Sequence, residues 1–198
     1  FAMVYFSGFV FSDSVLLGLD TGTDFHLGKE PFWEKAAELV PPNWSRHQGG
    51  TPQTGQRLMN YFPLHIISLF TSVHRYLGWR YFFAVFSAGY FAYLCIRGFG
   101  LRPATAILIG TAYASMPTLL TFVYPGQEAK MLVIGLFPLM VWGLHGIIAT
   151  GHWAHVLLLS AGVGAAVYTP HLQMLYYSLI GLGLLFLVET TARALKER

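Results

Sequence analysis

Five apolar segments that follow residue 80 limit what this chain can fold into. They cover residues 81–96, 104–123, 131–148, 153–168 and 172–188. A helix that crosses the hydrocarbon layer of a membrane needs about 20 largely apolar residues. Helices and closed barrels are the structures that satisfy every backbone polar group inside that layer. The segments therefore predict an all-α integral membrane protein, folded as a polytopic helical bundle.

Composition supports this class. Hydrophobic residues make up 55% of the chain and charged residues 11%, whereas a soluble domain carries about 25% charged residues. The formal net charge of +3 is small and dispersed, so it gives no reason to expect a nucleic-acid partner. Cys95 is the single cysteine, so the chain has no internal disulfide framework.

The first 11 residues, FAMVYFSGFVF, are apolar but amount to about half of a membrane span. We expect them to be the outer part of a first, partial helix, which gives about six spans in all. A cleaved signal peptide fits less well, because the mature end of such a protein is seldom so apolar. The predicted organisation continues with a loop at 12–80, a bundle of about five helices at 81–190 and a tail at 191–198. We expect the chain to be a piece of a longer protein, or a short relative of one.

The loop at 12–80 holds six of the nine acidic residues. Within it, Pro31 suits a helix start and Pro41 a helix end. The residues between them place apolar side chains on one face, which predicts an interfacial helix in contact with membrane lipids. A surface helix packed on its own domain is an equal alternative. Residues 63–79 are apolar but interrupted by charged and histidine side chains, and we predict that they do not span.

Basic residues predict the orientation. Arg97 and Arg102 lie between the first two of the five segments, and Arg193, Lys196 and Arg198 follow the last. Cytoplasmic loops are enriched in lysine and arginine, which places both groups in the cytoplasm. Counting spans then places the loop at 12–80 outside, together with two short loops at 124–130 and 168–173.

Two acids and a glycine pair in the long loop are candidate site residues. Asp20 and Asp24 follow the first span, where a partly desolvated carboxylate could act as a general base or hold a divalent cation. Helix capping or a solvated loop is the alternative for both acids. Gly49 and Gly50 begin the turn GGTP, where the backbone could approach a substrate closely, although a simple turn explains them as well.

The short outer loops supply four further candidates for substrate binding. Glu128 and Lys130 lie at one predicted helix start, and His171 and Gln173 at another. Glu128 could instead interact with the helix dipole, Lys130 could snorkel to the interface, and His171 could cap its helix. We predict no metal site at His152 and His155, because these two histidines have no carboxylate nearby.

Several motifs together resemble a known family. They are GLDTGTDF after the first span, GGTP, YFPLH before the bundle, GQEAKM and PHLQMLYY. This series resembles the bacterial YfhO-like membrane proteins of the glycosyltransferase C superfamily, and it covers the N-terminal part of such a protein. The chain departs from the family pattern at Gln127, where the family often has histidine, at Pro170, where it has glycine, and at the inserted Phe62.

The resemblance implies a location, a reaction and residue roles. The protein would lie in the bacterial cytoplasmic membrane and move a sugar from a polyprenyl-phosphate donor to an acceptor on the outer face. Asp20 would be the catalytic base, with Asp24 as a second candidate. Lys130 and His171 would contact phosphate or sugar, and the interfacial helix would help to hold the lipid carrier.

A second interpretation is a non-catalytic accessory or scaffold subunit of a larger membrane complex, for example a pigment–protein complex, with partner subunits in the membrane. The aromatic content, with 16 Phe, 11 Tyr and 5 Trp, suits that interpretation and also suits ordinary anchoring at the bilayer interface. A transporter is less well supported, because His145 and Glu189, the ionisable residues nearest to the span interiors, both lie towards helix ends.

Overall fold

The computed structural model describes residues 1–12, 14, 65–68, 70–71, 73–169 and 171–196. All regular secondary structure within these ranges is helical. The predicted interfacial helix at 31–40 and the four loop candidates Asp20, Asp24, Gly49 and Gly50 lie outside the described residues.

The described helices are numbered here in chain order. They are α1 (Ala2–Val10), α2 (His65–Ser68), α3 (Val73–Gly98), α4 (Pro103–Ala114), α5 (Pro117–Thr121), α6 (Glu128–Thr150), α7 (Trp153–Val167) and α8 (Leu172–Lys196).

Four helical stretches in the described part of the chain are long and apolar enough to cross a membrane. They are Arg75–Gly98, Pro103–Thr121, Glu128–Thr150 and Leu172–Lys196. The predicted class is therefore confirmed for the described residues in two respects: the fold is all-helical, and several helices suit a multi-pass membrane protein. Helix α7 is apolar but shorter, with 15 residues.

Two helix boundaries differ from the sequence prediction. Helix α3 begins at Val73 rather than at residue 81, so the last part of the predicted non-spanning segment forms its first turns. The predicted second span is divided into α4 and α5 at Met116, whose backbone is extended (φ −63°, ψ 136°). Pro117 explains this break, because a proline ring disfavours helical geometry in the residue before it.

Helices α3 and α6 form the centre of the bundle. Helices α1 and α4 pack on α3, whereas α7 and α8 pack on α6. Glycines permit the closest approaches: a Cβ on Gly135 of α6 would lie 2.9 Å from the Ala84 carbonyl oxygen of α3. Small residues at such contacts let helix backbones approach each other within a membrane.

The contacts between helices divide the bundle into two ends. Phe11, after α1, contacts Trp79 near the start of α3, and the starts of α3 and α6 meet through Arg80 and Glu128. We call this the Lys130 end, because Lys130 lies in the first turn of α6. It is the end at which α1 finishes and α3 begins.

The opposite end is named the His145 end. His145 of α6 lies 2.9 Å from both carboxylate oxygens of Glu189 on α8, and its ring lies 4.3 Å from the Phe99 ring. This end also holds the start of α7, where His155 packs against Trp142 and Gly146 of α6. The ends of α3, α6 and α8 therefore converge here.

Candidate functional site at the Lys130 end

Lys130 is held close to the turn that precedes α6. The turn passes through Gly126, whose φ of 81° is in the left-handed region that glycine adopts readily. The Lys130 ammonium donates a hydrogen bond to the Gln127 side-chain oxygen and lies 5.5 Å from the centre of the Phe122 ring. These contacts keep the cation over the turn, so it has a defined position at this end of the bundle.

His171 precedes α8 and caps it. Its Nδ1 atom accepts a hydrogen bond at 3.3 Å from the Met174 backbone N–H, which also donates to the His171 carbonyl oxygen at 3.1 Å. The capping alternative from the sequence is therefore confirmed. Accepting at Nδ1 leaves Nε2 as the nitrogen that carries the proton in the neutral ring.

Lys130 and His171 act on each other electrostatically. Partial burial lowers the pKa of His171 below its ordinary value of 6.5, and the Lys130 ammonium lowers it further. A neutral imidazole beside a cation can donate a hydrogen bond from Nε2 while the ammonium supplies positive charge. That combination suits an anionic oxygen as a ligand, because charge-assisted hydrogen bonds are stronger than neutral ones.

Glu128 lies inside the packing between α3 and α6. It is 6% exposed, and its carboxylate forms an ion pair and hydrogen bond with Arg80 of α3, which is 5% exposed. The Arg80 guanidinium also lies 5.6 Å from the centre of the Tyr76 ring. The sequence predicted that Glu128 binds substrate or interacts with the helix dipole. Its ion pair with Arg80 was not predicted.

Arg80 is the residue that sequence reasoning missed. It was assigned to the long loop, whereas it lies on the second turn of α3. Its partner Glu128 is 48 residues away in the chain, so helical spacing gives no signal for the pair. An arginine next to an apolar segment was the available clue, because such a residue is often paired within a bundle.

Gln173 lies on the first turn of α8 and is exposed. Its side-chain amide donates to the Tyr177 hydroxyl at 2.9 Å, one turn further along the same helix. The contact stabilises the exposed face of α8 and does not join Gln173 to Lys130.

Asp20 and Asp24 belong to the segment that connects α1 to α3, and both of these helices are described. The end of α1 and the start of α3 both lie at the Lys130 end, through the contact of Phe11 with Trp79. The chain that carries Asp20 and Asp24 therefore leaves and returns at the end that holds Lys130 and His171.

A metal centre is not found among the described residues: no group of three or more His, Cys, Asp or Glu side chains there could hold an ion. His152 caps α7 by accepting from the Ala154 backbone N–H at 3.2 Å, and it lies at the His145 end. Comparison of the chain with protein-family models, curated proteins and solved structures found no match.

Proposed function

We propose that this chain carries the site of a membrane glycosyltransferase that uses a polyprenyl-phosphate sugar donor on the outer face of a bacterial cytoplasmic membrane. The observation that carries the proposal is the location of Lys130 and His171 at one end of the bundle, the end where the segment with Asp20 and Asp24 is attached. The motif resemblance supports the same reaction class.

The roles follow from the chemistry of each group. The Lys130 ammonium binds a phosphate oxygen of the donor, and His171 donates a second hydrogen bond from Nε2. Asp20 accepts the proton of the acceptor hydroxyl as the new bond to the anomeric carbon forms. The bond between that carbon and the phosphate oxygen breaks, and the lipid phosphate leaves as an anion beside Lys130.

Other candidates have supporting roles in this proposal. Asp24 is a second base or a ligand for a divalent cation. Gly49 and Gly50 let the backbone approach the sugar. Gln173, exposed at the start of α8, is available to the acceptor. Membrane lipids surround the bundle and present the donor at the height of the Lys130 end.

The test is sugar transfer from a polyprenyl-phosphate donor by the purified protein in lipid vesicles. Asp20→Asn should lower the rate by about 100-fold or more, which is the usual contribution of a general base. Lys130→Met should raise the KM for the donor. Lys196→Met is the matched control, since it removes an exposed lysine at the opposite end of the bundle.

Unchanged transfer by Asp20→Asn and Lys130→Met would overturn these roles. A wild-type protein that transfers no sugar but co-purifies with other membrane subunits in fixed ratio would favour the accessory-subunit interpretation of the sequence.

A further inference from the structure

We infer that Arg80 is a positioning residue: through its buried pair with Glu128 it fixes the first turn of α6, and with it the position of the Lys130 ammonium at the end of the bundle that also holds His171. The inference rests on the proposed function for its biological meaning, since the position of Lys130 matters to transfer only if a phosphate binds there. Arg80 and Glu128 would themselves not touch the substrate.

The buried pair lies where the starts of α3 and α6 meet. Arg80 is 5% and Glu128 6% exposed, and they join the second turn of α3 to the first residue of α6. Two charges taken out of water are tolerated when they are paired with good geometry. A shift of α6 along α3, or a rotation about its own axis, would separate the charges, so the pair favours one arrangement of this helix start.

Glu128 and Lys130 share the first turn of α6. Lys130 lies two residues further along the same helical turn, and its ammonium bonds back to Gln127, the residue that precedes Glu128. The cation and the buried acid therefore belong to one rigid turn. An anchor on Glu128 therefore also fixes where the Lys130 ammonium lies over this turn.

Arg80 and Glu128 could change the pKa of His171 in two ways: directly through their charges, or indirectly by positioning Lys130. Burial of the ring is the main cause that lowers the pKa of His171, and the Lys130 ammonium is the charge that lowers it further. Replacing the buried pair with apolar residues leaves the sum of their charges unchanged. A change in the titration of His171 then comes from movement of Lys130 or from altered burial of the ring, and adding Lys130→Met distinguishes the two.

The experiment titrates His171 by NMR in the full chain, labelled at histidine and held in lipid nanodiscs. His171→Gln identifies the signal, and Lys130→Met gives the reference: the pKa of His171 should rise when the cation is removed. Arg80→Met/Glu128→Leu should raise it in the same direction, and adding Lys130→Met should then produce little further change. Arg97→Met, on the same helix but at the His145 end, should leave the titration unaltered.

A folded Arg80→Met/Glu128→Leu variant with the wild-type His171 titration would overturn the inference. If that variant does not fold, Arg80→Lys replaces it, because it keeps the charge but loses the forked geometry of the guanidinium. The His171 pKa should then move part of the way towards the Lys130→Met value, and no movement would again overturn the inference. The titration needs no sugar donor, so a failed transfer assay and a failed positioning role give different results.

Discussion

His171 combines a structural and a chemical role in one side chain. Its Nδ1 atom caps α8, and its ring lies within the electrostatic influence of Lys130. Both interactions favour the neutral ring, because protonation would remove the acceptor at Nδ1 and add a like charge beside the ammonium. The folded state should therefore resist protonation of His171 more than the unfolded chain does.

This difference predicts that lowering the pH reduces the free energy of unfolding because His171 becomes protonated. Because the folded pKa lies below the ordinary value of 6.5, the unfolded chain binds more protons when the pH falls below that value. The stability contributed by the neutral ring is complete above 6.5 and is lost as the pH falls towards the folded pKa. Thermal unfolding in detergent, compared at about pH 8 and about pH 5, measures the loss.

The matched variant is His171→Asn, which removes the titrating ring and keeps a side chain that caps helices well. It should lose less stability than the wild type over the same pH change. Equal losses in the two proteins would assign the acid sensitivity to other groups and contradict the prediction.

Arg80 and Glu128 show that a sequence can identify a charged residue without identifying its partner in the folded protein. The acid in the first turn of α6 could be recognised from the sequence, and two uses for it were open: substrate binding or interaction with the helix dipole. Its partner depends on how α3 packs against α6 and on where α3 begins. The same is true of His145 and Glu189, which are 44 residues apart and meet only because α6 and α8 are neighbours.

At the scale of helices, hydropathy located the apolar segments better than it located helix ends. Helix α3 extends to Val73 through polar residues that interrupt the hydropathy pattern, because backbone hydrogen bonding continues beyond the apolar part of a helix. The division of the second segment had a visible signal in Pro117. A proline inside α6, Pro138, leaves that helix continuous, so proline position alone does not decide the outcome.

The packing of α7 on α6 gives a prediction for two glycines. A Cβ on Gly143 of α6 would lie 2.6 Å from the Leu159 backbone nitrogen of α7, whereas a Cβ on Gly164 of α7 would have nothing within 4 Å. Gly143→Ala should destabilise the protein by about 1–3 kcal/mol, as overpacking does when backbones must separate. Gly164→Ala should change stability by no more than about 1 kcal/mol, in the stabilising direction.

Unfolding in mixed micelles with increasing denaturing detergent measures both variants. Each adds one methyl group to a helical glycine, so they share the change in helix propensity and differ in the contact. Equal stability of the two variants would mean that α6 and α7 are not in close contact at Gly143.

At the scale of the whole molecule, the sequence correctly predicted an all-helical fold with several helices long and apolar enough to cross a membrane, because segment length and hydropathy largely decide that class. The site could be predicted only in part. Lys130 and His171 were recognised by their position at helix starts, and the structure places both at the Lys130 end, where Lys130 lowers the pKa of His171. Their relation to Asp20 depends on the segment between α1 and α2, whose ends are both attached at the Lys130 end.

The proposed reaction requires the Lys130 end to face outwards, and the basic residues predict that it does. Arg97, Arg102, Arg193 and Lys196 all lie at the His145 end, which the positive-inside rule places in the cytoplasm. Cysteine labelling in intact cells tests this. In a Cys95→Ala background, which removes the buried native thiol, Tyr124→Cys marks the Lys130 end at a side chain that is 80% exposed. His152→Cys marks the other end at an exposed position.

A maleimide that does not cross membranes should label Tyr124→Cys in intact cells and His152→Cys only after the cells are permeabilised. Labelling of both after permeabilisation is the control for access. The reversed pattern would place Lys130, His171 and the acidic segment in the cytoplasm, and transfer on the outer face would then be wrong although the bundle is unchanged. Labelling of both positions in intact cells would mean that α6 does not cross the membrane, because these two positions lie before its start and after its end.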